Sequence, residues 1–116
     1  MTYIELKLEK SSIKPHEIIK GKIRVNYPGR YDGVVVSTQI LNSNQLIVYR
    51  SYNNKTISQN ASRLFINRND IPQNTVEFTA TIEFEPNEVH EVKFRVSIIQ
   101  EHKEIESDVL FAKLVP

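Results

Sequence analysis

A chain of 116 residues with 40% hydrophobic and 25% charged side chains has the composition of one ordinary globular domain, spanning 1–116, and not of a disordered segment. Its 15 basic and 14 acidic residues leave a formal net charge of +1, too little for a global field that would hold nucleic acid or an anionic membrane. The absence of cysteine excludes a disulfide framework, a thiolate metal site and a cysteine nucleophile together.

The first ten residues, MTYIELKLEK, alternate apolar and charged side chains, so Ile4, Leu6 and Leu8 mark a strand with one face in a core. They do not read as a signal peptide, and no later run approaches the ~20 apolar residues of a membrane span. A cytoplasmic location is the expectation. Without an export signal, the sequons Asn54-Lys55-Thr56 and Asn60-Ala61-Ser62 are not expected to carry glycan.

A second strand puts Ile19, Gly21, Ile23, Val25 and Tyr27 on one side and Lys20, Lys22, Arg24 and Asn26 on the other. Tyr27-Pro28-Gly29 ends it, because proline cannot donate to a ladder and Pro-Gly favours a turn. VVVSTQIL, residues 34 to 41, is apolar on both faces and reads as a central or doubly covered strand. Leu46 to Ser51 is a fourth strand, rich in β-formers. Residues 52 to 62 are polar and unpatterned and read as an exposed loop, followed by a short apolar piece, Leu64-Phe65-Ile66.

The two cleanest alternations come next. Val76, Phe78, Ala80, Ile82 and Phe84 oppose Glu77, Thr79, Thr81, Glu83 and Glu85; Val92, Phe94, Val96 and Ile98 oppose Lys93, Arg95 and Ser97. The last strand runs to about Leu114, and its alternation breaks at residues 109 to 112, which reads as a bulge or as burial on both sides. No window shows helical spacing. About seven strands separated by turn signals point to an all-β, antiparallel, immunoglobulin-like sandwich. Its expected core is Ile4, Leu6, Ile23, Val25, Val34, Val36, Phe78, Ile82, Phe94 and Val96.

A glycine on the inward face of a strand weakens it unless a neighbour needs the space, and Tyr3, Phe78 or Phe94 are the candidates to pack over Gly21. Pro15 pre-sets the turn into that strand, and Glu17 can accept from its exposed amides. The stretch Pro15-His16-Glu17-Ile18-Ile19-Lys20-Gly21-Lys22-Ile23-Arg24-Val25 resembles the opening of arrestin-fold N-terminal domains, with His16 where that family usually has glycine. VVVSTQIL and FTATIEFEPNEVHEVKFRVSIIQ are similar to the family's third strand and to its later turn and following strand. About two-thirds of the chain is covered; residues 52 to 75 are unmatched. The resemblance implies a single arrestin-like sandwich that binds other proteins, often at membranes and in trafficking. Full arrestins carry two sandwiches, and no residues here match their phosphate-sensing polar core.

Catalytic groupings are poor. His16, His90 and His102 all fall in predicted turns at strand ends, without metal-ligand spacing. The cluster Glu83, Glu85, Glu88 and Glu91 lacks the dense ligands and glycine of a calcium loop. Three glycines leave little for phosphate-cradling or dinucleotide loops. Neither an enzyme, nor a cofactor, nor a metal is expected.

Two surfaces stand out for binding. Lys20, Lys22 and Arg24 recur ~7 Å apart along one face and match acidic partners, unless carboxylates such as Glu77, Glu83 and Glu85 on a neighbouring strand neutralise them. Val35 and Leu41 lie on the face of the third strand away from Val34, Val36 and Ile40, and need a cover. That cover is the 52 to 62 loop, the 64 to 66 piece, a second copy or a partner. The leading expectation is a protein-binding module, an adaptor or scaffold, acting on other proteins at a membrane surface or as a homodimer, with nucleic acid not expected. The alternative is a self-assembling structural subunit of a coat, capsid or surface layer.

Overall fold

Period-two alternation becomes two stacked sheets because each strand has one apolar face to hide. The computed structural model describes residues 3–116. One sheet runs β1 (Ile4–Leu8), β3 (Ile19–Val25), β8 (Thr75–Thr81), β5 (Val48–Tyr52), β6 (Lys55–Asn60); the other runs β2 (Ser12–Ile13), β10 (Lys103–Leu114), β9 (His90–Gln100), β4 (Gly33–Ile40), β7 (Arg63–Asn67). We call them the first and second sheet. Neighbours are antiparallel, except that β2 lies parallel to the end of β10. The architecture is the all-β sandwich that the alternation predicts, with more strands than the spacing of turn signals suggests.

Every residue of the expected core is buried. The inward rows of the two sheets interdigitate as one cluster that includes Ile23, Phe78 and Ile82 from the first sheet and Val36, Phe94 and Ile98 from the second. Tyr49 ties the layers together. From β5 its hydroxyl crosses to the second sheet, lies 2.9 Å from Thr38 Oγ1 and donates to the Ser62 carbonyl at 3.2 Å. Burial pushes that phenol up to about 12.

Several boundaries differ from the sequence reading. Residues 52 to 62 are not a free loop: Lys55–Asn60 is an edge strand paired to β5. The hairpin turns on Asn53 and Asn54, both left-handed at φ 46° and 67°, a conformation asparagine tolerates. Asn53 is held as well, accepting from Glu77 N at 3.0 Å and donating to Asp70 O at 2.5 Å.

β8 ends at Thr81, short of Phe84, because the chain there turns to meet the loop before β3 and Ile82 O accepts from His16 N at 2.9 Å. The register shift in β10 lies between Glu104 and Glu106, not at 109 to 112, where pairing with β9 is unbroken. The broken alternation at VLFA has another cause: Ala112 points inward while Phe111, on the outer face, is 53% exposed.

Candidate functional site

Lys20, Lys22 and Arg24 project from the outer face of the first sheet and are exposed. The ladder sets a carboxylate near each. Glu77 is the register partner of Lys22 on β8, Glu5 is that of Arg24 on β1, and Glu9 lies 4.0 Å from Lys20 Nζ. Lys7 faces Lys22 from the other side and turns to Glu5 at 3.7 Å. The stripe is therefore a charge-alternating solvated face, with an open depression of about 520 Å³ above it. Of the three glutamates expected beside it, only Glu77 is there.

Glu83 and Glu85 instead meet His16. The imidazole Nδ1 lies 2.6 Å from Glu83 and Nε2 lies 3.3 Å from Glu85. Arg50 also pairs with Glu83, and its Nε donates to Thr81 Oγ1 at 3.2 Å. A neutral ring can donate from only one nitrogen, so carboxylates at both nitrogens favour the imidazolium. The contact with Glu83 is the main reason the His16 pKa is raised, and His16 in turn is the first cause of the lowered Glu83 pKa.

Val35 is not a free binding surface. It is only 9% exposed, because β7 pairs with β4 and sets Phe65 directly beside it. The 64 to 66 segment is thus the cover. Leu41 is half-buried just past the end of β4. Apolar exposure shifts to the rim of that sheet, to Phe65 at 49% and Phe111 at 53%. Among the histidines, His16 and His102 are exposed, but His90 opens β9 and is buried. Among the described residues, no group of His, Asp and Glu is placed to hold a metal.

The two flanks of the sandwich are finished differently. On one flank β1 and β10 meet, and carboxylates from β10 occupy amides of β1: Leu6 N donates to Asp108 Oδ2 at 2.9 Å and Tyr3 N to the Glu106 carboxylate. On the other flank the chain passes from β6 to β7, so both sheets end in edge strands. β6 presents no buried residue; Ile57 alone is half-buried. It carries one charge, Lys55, and no proline, and its pairing with β5 shifts register where Ile57 and Ser58 stand against Arg50, so the edge is interrupted at its middle and otherwise little protected.

No protein-family model matches the chain, and no curated protein does. Solved structures share the fold. A conjugative transposon lipoprotein from Bacteroides eggerthii superposes with a TM-score of 0.58 at 7% identity, covering 98% of each chain. AvmM, which catalyses macrocyclisation in alchivemycin A biosynthesis, gives 0.57 at 8% identity over 98% of this chain and 89% of its own. The Salmonella SafD adhesin gives 0.55 at 10% identity over 98% of both. At such identities the likeness is one of β-sandwich architecture.

Proposed function

We propose that the chain is a non-catalytic structural subunit that assembles with copies of itself through its open flank, as a component of a coat or surface layer. The observation that carries this reading is the contrast between the flanks: carboxylates occupy one, while β6 leaves a ladder of backbone donors and acceptors free on the other. β6 also suits itself as a partner. Its one charge, Lys55, lies at the start of the strand, away from the register shift at Ile57 and Ser58, so a second copy laid antiparallel against β6 brings no like charges face to face. An adhesin and a lipoprotein with the same fold lend support.

An adaptor that recruits other proteins is the second reading, and the arrestin-like stretch from Pro15 to Val25 favours it. Light scattering over a concentration series separates the two. Growth into dimers and larger particles, lost in Thr56→Pro or Gln59→Pro, supports assembly. A monomer at every concentration would sink it in favour of the adaptor. The expected cytoplasmic location suits a coat component; fractionation of cells carrying a tagged copy tests it, and a tag accessible on intact cells would assign a surface layer.

A further inference from the structure

β6 and β7 end the two sheets on the same flank, joined only by Ala61 and Ser62. β7 is the more regular edge, because it pairs with β4 from Arg63 to Asn67 without a register shift. Two backbone bonds fix which of its groups are used. Thr38 N donates to Ser62 O at 2.8 Å and Arg68 N donates to Asp32 O at 2.9 Å, one just beyond each end of β7. In an antiparallel pair, opposed residues that exchange hydrogen bonds alternate with opposed residues that do not. Leu64 and Ile66 therefore turn their backbone groups to β4, and Arg63, Phe65 and Asn67 turn theirs to the open side.

That open side is accessible. No other strand pairs with β7 there, and among the described residues the one bond to those groups runs from Gln59 Nε2 to the Arg63 carbonyl, at 3.1 Å. A carbonyl has two lone pairs and can accept a second donor. The Phe65 side chain does not screen the edge: it leans inward over β4, where a Cβ at Gly33 would lie 2.6 Å from its Cζ. The ring is still 49% exposed, while Leu64 and Ile66 on either side are buried.

The free groups are also symmetric about Phe65. An antiparallel copy centred there sets Phe65 against Phe65 as a hydrogen-bonded pair and Arg63 against Asn67 on both sides. The one charge of the strand then meets an amide, and no like charges face each other. A surface that complements itself in this way is what a two-fold contact requires. This match of charge and register singles out a second copy over a strand of other sequence.

We propose that the chain forms a two-fold dimer with its axis at Phe65, each Phe65 N–H donating to the Phe65 carbonyl of the other copy, so that the second sheet continues across the seam. This rests on the reading of the open flank as an assembly surface and adds its axis and register. The same axis lays the two β6 edges antiparallel in the other layer.

The chain has no cysteine, so single introduced cysteines report the seam. Hydrogen-bonded partners stand about 5.5 Å apart between Cα atoms, within reach of a disulfide. Under mild oxidation Phe65→Cys should link to itself about tenfold faster, or more, than Lys22→Cys, an exposed control on the first sheet. Arg63→Cys should not link to itself, because the two copies of residue 63 lie ~14 Å apart along the seam, but it should link to Asn67→Cys. Phe65→Pro removes a donor from the seam and none from the β4 ladder. In sedimentation equilibrium it should associate about tenfold more weakly than Phe65→Ala, with far-UV circular dichroism unchanged. A wild type that stays monomeric at every concentration overturns this dimer and the assembly reading together. A wild type that associates while Phe65→Cys links no faster than the control overturns the Phe65 axis alone and leaves assembly to β6. Self-linking of Arg63→Cys as fast as that of Phe65→Cys, or equal association of Phe65→Pro and Phe65→Ala, does the same.

Discussion

Gly21 on β3 sits directly opposite Phe78 on β8, and the phenyl ring occupies the space a side chain at 21 would need. A Cβ built on Gly21 runs into Cε1 and Cζ of that ring and lies 3.2 Å from Cδ1. Phe78 is fully buried, so the ring has nowhere to swing. Gly21→Ala should cost about 1–3 kcal/mol as overpacking, and more than half should return when Phe78→Leu is added. Urea denaturation of the four proteins in the cycle checks this; additive losses would mean that the two residues do not share the space.

Phe94, fully buried on β9 between β4 and β10, is a core ring without a polar role. Truncation to alanine should cost about 3–5 kcal/mol, a large part of the stability of a domain this size. The thermal midpoint should fall by ~10 °C or more. A shift of only a degree or two would show that the inward row of β9 is wrongly assigned.

Val35 and Phe65 are register partners with opposite sensitivities, one buried and one half exposed. Val35→Glu forces a carboxylate under the cover that β7 provides and should destabilise by about 2–3 kcal/mol. Phe65→Ser should cost about 1 kcal/mol or less. Circular dichroism melts of both variants rank them, and a well-folded, fully stable Val35→Glu would restore Val35 as an open face.

The His16 contacts make stability depend on pH. The contact with Glu83 raises the His16 pKa above its ordinary 6.5, against the opposing effect of desolvation and with further help from Glu85, so its contribution is complete below 6.5 and is lost as pH rises through the folded value. Glu83 is lowered from 4.5, first by His16 and then by Arg50, so its share is present above 4.5 and is lost as pH falls through the folded value. The His16–Glu83 contact is strongest between these limits. His16 also holds a left-handed φ of 65°, which glycine adopts freely. The stability of the wild type relative to His16→Gly should therefore improve as pH falls from 8 to 5.5. A proton-resonance titration of His16 with a midpoint at or below 6.5 would contradict it.

Tyr49→Phe removes the hydroxyl that reaches the second sheet and keeps the buried ring, so it tests the tie without opening a cavity. The loss should be about 1–2 kcal/mol, because Thr38, buried beside it, keeps a hydroxyl with one partner fewer. Thr38→Val in the same background should recover part of it. Equal stability of Tyr49→Phe and the wild type would show that the hydroxyl adds nothing to the layer contact.

How much of this was legible follows from how local each signal is. Inward rows such as Ile19 to Val25 and Val92 to Ile98 are written in the period of the chain itself, since successive side chains of a strand must point to opposite faces. The sandwich, its core and the small residue at 21 were readable for that reason. β6 was not, because Ile57 is its one apolar residue against the core and the rest of the strand is polar and held by ladder pairing, which leaves no period-two trace in side-chain pattern. Nor could the sequence tell that β7 covers Val35, that Asp108 and Glu106 occupy the amides of β1, or that His90 is buried against Leu41 O. Each of these joins groups far apart in the chain, and a carboxylate or imidazole carries no mark of the distant backbone atom it will meet. Composition and alternation determined which faces turn inward; which edges close and which stay open was decided only when the two sheets stacked, because that depends on groups far apart in the chain.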